Sequence, residues 1–253
     1  AWGGAHTWRN VRPLLSVGGH QVFTPALTGI GDRAHLASPQ VSLTTHVEDV
    51  TQQIVYEDLT ELVLLGFSYG GMVVTGALEH VAERVSELVF LDAFVPEDRQ
   101  AVVYIAALPA ERGVGLGSDW LIPPWDRTFE DPAEAEFAAP RRTAQPARTF
   151  TEPVRLTRPL ESFGFGRTYV KATRDERSPH GPDAFWDAAD RYRNHADWRF
   201  EEIDSNHMVP QNRPAELAEI LLSLTRGTAP PRPDHDDAAA AGSSRQNAAN
   251  RPT

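Results

Sequence analysis

Residues 62 to 71, Leu-Val-Leu-Leu-Gly-Phe-Ser-Tyr-Gly-Gly, put a serine between glycines directly after an apolar run. The run has the length and the unbroken apolar character of a strand covered on both faces, and the apolar residues that follow Gly70 recur at helical spacing. A further apolar run, Leu88 to Phe94, completes a βαβ unit. A strand, a tight turn, a helix and a second strand in this order commit the chain to a parallel sheet covered by helices, the α/β class.

The remaining periodicity agrees with that class. The spacing predicts a helix from about Thr7 to Val17, with Trp8, Val11, Leu14 and Leu15 on one face and Gly18-Gly19 ending it, then a strand from Gln21 to Pro25. Thr45-His46-Val47-Glu48 reads as a capping box opening a second helix. Late in the chain come a strand at Arg167 to Thr173, a helix at Ala184 to Tyr192 and a strand at Trp198 to Ile203. A final helix is expected after a cap at Asn212, with Leu217, Ile220, Leu221 and Leu224 facing inward. Between Pro96 and about Gly166 the periodicity fails and prolines accumulate. Trp120, Leu121, Ile122 and Trp125 are too apolar for a solvated linker, so this stretch is expected to be an ordered cap. One domain over residues 1–226 is expected, with its cap at about 97–166, and residues 227–253 are expected to be a disordered tail rich in Pro, Ala and Asp.

Composition narrows the chemistry. A formal charge of −11 without a local Lys/Arg cluster excludes nucleic acid as the expected partner, and no apolar run reaches the roughly 18 residues of a membrane span. There is no cysteine, so catalysis must draw on hydroxyl, imidazole or carboxylate groups. No cofactor or metal is expected: Asp234-His235-Asp236-Asp237 sits in the tail without fixed geometry, and Gly29-Ile30-Gly31 lacks the remainder of a phosphate loop.

Gly66-Phe67-Ser68-Tyr69-Gly70 fits a nucleophile elbow, in which a strained turn lifts the serine above the carboxyl ends of the strands. Glycines two before and two after the serine are expected to keep strand and helix from colliding. A serine hydroxyl is a poor nucleophile alone and needs a base, and the base needs a carboxylate to hold its tautomer. His207, just past the last strand in Asp204-Ser205-Asn206-His207-Met208, is the expected base, with His180 and His195 as weaker competitors. Two carboxylates compete for the third place, Asp175 and Asp92, each at the carboxyl end of a parallel strand; Glu176 and Asp204 lie further off. The chain order Ser, Asp, His favours Asp175. The backbone N–H of Tyr69, next after the serine, is an expected oxyanion donor.

The segments Trp8-Arg9-Asn10-Val11-Arg12-Pro13-Leu14-Leu15, Gly19-His20-Gln21-Val22, the elbow, Phe90-Leu91-Asp92-Ala93-Phe94-Val95-Pro96 and Asn206-His207-Met208 together resemble the α/β-hydrolase superfamily. The resemblance is to the branch of plant methyl esterases, hydroxynitrile lyases and bacterial esterases, and it covers about residues 1 to 225. It implies the α/β-hydrolase fold and a carboxylic ester hydrolase with catalytic Ser68, Asp175 and His207. Thr173-Arg174-Asp175 matches the family's acid motif. Relatives carry an apolar strand and a His-Gly segment before the position of Ala1, so the resemblance implies a longer natural chain, with Ala1 as the second oxyanion donor beside Tyr69. A small, largely apolar ester is the implied substrate, bound under a cap lined by Trp120 and Trp125, unless these two serve cap packing instead. Cytoplasmic is the default localisation, and a monomer or homodimer is expected. Two other readings stay open: a hydroxynitrile-lyase-like C–C lyase, although plant lyases carry lysine where this chain has Met208, and a small-ligand binder without turnover.

Overall fold

A computed structural model describes residues 1–106, 120–177 and 183–225; the expected tail and His180 lie outside the described residues. Helix α1 (Arg12–Val17) is preceded by a 3-10 turn at Ala5–Trp8 and closed by Gly18 and by Gly19 at φ +89, so the expected first helix is two short pieces. Helix α2 spans Leu43–Tyr56 and is capped by Ser42, whose side chain and that of Thr45 satisfy each other's backbone amides. The box is therefore not the expected Thr45–Glu48 pair but Ser42–Thr45, three residues earlier, because Ser42 holds extended backbone and Thr45 closes the box from inside the helix.

The central sheet contains β1 (Leu62–Phe67), β2 (Val85–Leu91), β3 (Gly166–Ala172) and β4 (Arg199–Ile203), in that spatial order and all parallel. Helix α3 (Gly70–Val81) links β1 to β2 and buries Val73, Val74, Ala77, Leu78 and Val81. Each large side chain so buried contributes about 1.5–3 kcal/mol, which fixes α3 against the sheet and α2. Helix α4 (Ala184–Tyr192) matches its expected bounds. Helix α5 (Pro214–Thr225) starts at a proline, and Leu217 and Leu221 bury a second core on the opposite face of the sheet with Val11, Val89, Val170 and Ile203. Asn212 does not cap it. This asparagine ends a separate turn at Val209–Asn212 and bonds Asn206 and the Glu130 amide instead.

Two strand expectations need correction. Residues 21–25 form no strand, because among the described residues they have no partner to complete a ladder, and β1 pairs on one side only. The second strand ends at Leu91 rather than Phe94. Asp92 turns to φ +39 there, which leaves the extended region.

Among the described residues the stretch after Pro96 is irregular, as expected, with short helices at Val102–Ile105, Pro132–Ala138 and Arg148–Thr151 and a two-residue antiparallel bridge between Leu121–Ile122 and Gln145–Pro146. Trp2 ties this part to the start of the chain. Its amide donates to Gln145 Oε1, its indole N–H to the Ile122 carbonyl, and its ring packs on Trp125 and Phe150 at centroid distances of 5.0 and 5.6 Å. No helix among the described residues is long and apolar enough to cross a membrane.

Candidate active site

Strand register brings the chemistry to one edge. Phe67 pairs with Leu91 and Leu91 with Val170, so the residues that follow β1, β2 and β3 emerge side by side at the carboxyl end of the sheet. Ser68 leaves β1 at φ +57, a left-handed conformation that costs a side-chain-bearing residue of order 1–3 kcal/mol and must be held by its surroundings. Three backbone bonds hold it: Ser68 N–H to the Leu91 carbonyl, and the Gly71 and Phe94 amides to the Ser68 carbonyl.

The glycines divide their work differently from expectation. A Cβ on Gly66 would lie 2.7 Å from Val74 Cγ2 and 2.8 Å from the Gly70 carbonyl, so this glycine does keep strand and helix apart. Gly70 faces open space. The second crowded position is Gly71, where a Cβ would overlap the Phe94 carbonyl oxygen, the next turn of the same edge.

His207 is buried, its ring stacked on Phe185 at 5.0 Å and set against Phe67, the neighbour of the serine, at 4.8 Å. Its Nδ1 lies 2.7 Å from Asp92 Oδ2. Asp175 does not reach the ring. Its Oδ2 accepts the backbone N–H of His207 at 2.8 Å, so the expected acid holds the histidine loop while Asp92 holds the imidazole. The physical reason is depth: Asp92 is buried and turned by its positive φ, whereas Asp175 is exposed on the loop after β3. Of the outside carboxylates, Asp204 is paired with Arg174 at 2.7 Å and Glu176 is exposed. His195 lies away from the site and accepts the Asp197 amide.

Lys171 is the residue that sequence reasoning missed. Its Nζ contacts Asp92 Oδ1 at 2.7 Å and the Ala172 carbonyl at 2.5 Å, and it lies 4.3 Å from the centroid of the Trp186 ring. A lysine inside a strand otherwise buried on both faces was the available signal, since a buried ammonium requires a carboxylate partner. Burial alone would raise the Asp92 carboxyl, but the His207 bond together with the Lys171 ammonium outweighs it and holds the group below the ordinary aspartate value. Burial pushes the His207 imidazole down, with the Asp92 bond opposing and Arg127 adding to the depression. The pair therefore stands as neutral imidazole and ionised carboxylate at pH 7, with Nδ1–H donating to Asp92.

Tyr69 is anchored from behind. The Nε2 of His46 lies 2.8 Å from the Thr28 carbonyl, which requires it to donate, so Nδ1 accepts the Tyr69 hydroxyl at 2.9 Å. The Tyr69 backbone N–H has no acceptor among the described residues. Ala1, Ser68, Tyr69 and His207 all border one cavity of about 1010 Å³. The cap part of its wall includes Arg127, Phe129, Ala138 and Arg142. Trp120 and Trp125 are not in that wall: Trp125 packs on Trp2, and the Trp120 carbonyl accepts the Ala147 amide. Among the described residues no cluster of three His, Asp or Glu is placed to hold a metal ion.

A family model described as the alpha/beta hydrolase family matches residues 1–220. The chain belongs to the alpha/beta hydrolase family. It is 33% identical over 237 residues to the carbendazim hydrolyzing esterase of Nocardioides sp. (strain SG-4G), a match covering 88% of this chain and 96% of that one. It is 31% identical over 113 residues to methylesterase 1 of Arabidopsis thaliana, covering 40% of each. Among solved structures, an extracellular alpha/beta-hydrolase from a Paenibacillus species superposes with a TM-score of 0.75 at 26% identity, covering 89% of this chain and 96% of that one. Methyl esterases, bacterial esterases and this hydrolase fold are thus the company the resemblance implied.

Proposed function

We propose that this protein hydrolyses small carboxylic esters through an acyl-enzyme on Ser68. The observation that carries the reading is the buried His207 imidazole, bonded at 2.7 Å to an ionised Asp92 and bordering the same cavity as the serine of the strained elbow. Ser68 Oγ attacks the ester carbonyl while His207 takes its proton, and Asp92 stabilises the imidazolium that forms. The N–H of Tyr69, with the backbone nitrogen of Ala1 as second donor, holds the oxyanion. Collapse of the tetrahedral intermediate breaks the C–O bond, and His207 returns its proton to the leaving alkoxide. Water, deprotonated by His207, then attacks the acyl-enzyme and releases the acid and free Ser68.

Asp92 replaces Asp175 in this mechanism because only Asp92 touches the ring; Asp175 positions the loop through the His207 amide. The name of the 33% identical relative, an esterase, supports hydrolysis. Met208, buried at the cavity wall, offers no ammonium where plant hydroxynitrile lyases carry one, which also favours hydrolysis over C–C cleavage.

The test is intact-mass labelling with a fluorophosphonate, followed by peptide mapping and hydrolysis of simple aryl esters. One adduct on Ser68, lost in His207→Ala, is expected. Folded protein that neither labels nor turns over any aryl ester would overturn the reading.

A further inference from the structure

We propose that the ester cleaved at this site carries an anionic group, a carboxylate, which Arg127 and Arg142 bind. The inference rests on the esterase reading above and names its substrate class.

Both arginines belong to the cap and border the cavity that holds Ser68 and His207. Both are half-buried, and neither forms an ion pair or a side-chain hydrogen bond with any described residue. Their neighbours in the same part of the cap are treated differently: Arg9 is held by Glu134 at 2.5 Å, and Arg141 bonds the Phe137 carbonyl and lies over the Phe137 ring. Carboxylates that act on Arg127 from a distance are already engaged, Asp92 by His207 and Lys171, and Asp175 by the His207 amide. Asp126 acts on Arg142 without closing an ion pair.

Two guanidinium groups in partial burial act on each other and have no carboxylate at ion-pair distance among the described residues. A planar, rigid donor fork matches a carboxylate, which would close two charge-assisted bonds and remove the repulsion. Burial is the main cause of the depressed His207 imidazole and Arg127 adds to it, so a bound carboxylate would oppose the Arg127 contribution alone.

The experiment compares matched ester pairs at low ionic strength. One pair places the charge in the acyl half, mono-4-nitrophenyl adipate against methyl 4-nitrophenyl adipate; the other places it in the alcohol half, 4-acetoxybenzoate against its methyl ester. At least one pair is expected to show kcat/KM about 10-fold or more in favour of the anion, the size of one charge-assisted contact. That preference should fall with added salt, collapse toward one in Arg127→Gln and Arg142→Gln, and survive in part in Arg127→Lys. Neutral esters preferred in both pairs, or a preference for the anion that neither glutamine variant changes, would overturn the proposal while leaving the esterase intact. Failure of all four esters together with failure to label Ser68 would instead overturn the esterase reading beneath it.

Discussion

The ammonium of Lys171 meets the carboxylate of Asp92 at 2.7 Å with 1% of either side chain exposed. The second oxygen of the same carboxylate is held by His207, so a single buried aspartate stands between a fixed cation and the His207 imidazole. Lys171 lies on β3 and Asp92 on the turn after β2, and the arrangement couples the sheet interior to the site.

Removing the cation should therefore be felt twice. In Lys171→Met the carboxylate loses its buried partner, which costs about 3–5 kcal/mol as for other broken buried pairs and is measured by denaturant unfolding. The negative field of Asp92 then acts on His207 without opposition, so the acid limb of kcat/KM against pH should move upward. Lys171→Arg should restore part of the stability. A stable Lys171→Met variant with an unmoved pH limb would show that the lysine has no hold on the site.

The two candidate acids separate by substitution. Asp92→Asn leaves the imidazole in the wrong tautomer and is expected to lower kcat by roughly 10³–10⁴, the scale seen when the triad carboxylate is made neutral. Asp175→Asn loosens only the bond to the His207 amide and should cost about 10-fold or less in rate, near the energy of one hydrogen bond. Steady-state hydrolysis of an aryl ester checks both, and the opposite ranking would return the acid role to Asp175.

Acid should act on the site before it acts on the surface. The folded-state values of His207 and His46 are both depressed, first by burial, so the unfolded chain binds more protons than the folded one below pH 6.5. The stability contribution of these two groups is present above that pH and is lost as the pH falls through their folded values. Asp92, also depressed, adds a loss at lower pH, below 3.8. The rate should hold below pH 6.5 and fail only when His207 protonates in the fold. Urea midpoints and kcat/KM measured from pH 7 to 4 test this, and an activity midpoint above 6.5 would contradict it.

The elbow glycines should respond oppositely to alanine. Gly70→Ala meets no atom within 4 Å and relieves backbone entropy in the first turn of α3, so a change near +0.4 to +1 kcal/mol in stability is expected. Gly71→Ala drives a methyl into the Phe94 carbonyl and should either unfold the protein or displace the Ser68 turn. Thermal unfolding of the two variants distinguishes them, and equal melting temperatures would show that the turn accommodates both.

Local pattern determined a large part of this protein. Continuous apolar runs and helical spacing placed β1, α3 and α4 at their observed bounds, and Gly66, Ser68 and His207 were legible because an elbow and a late loop are features of adjacent residues in the chain. Strand pairing was not legible at Gln21 to Pro25, whose sequence favours extension but which finds no partner in the described structure. The geometry that distinguishes Asp92 from Asp175 exists only in the tertiary structure. Chain order and the Thr173-Arg174-Asp175 motif pointed to Asp175, although both carboxylates follow parallel strands, whereas burial, a positive φ and the Lys171 contact set Asp92 apart. Burial and the Lys171 contact are properties of distance in space, and only packing of β2 against β3 brings residues 92, 171 and 207 within reach of one another.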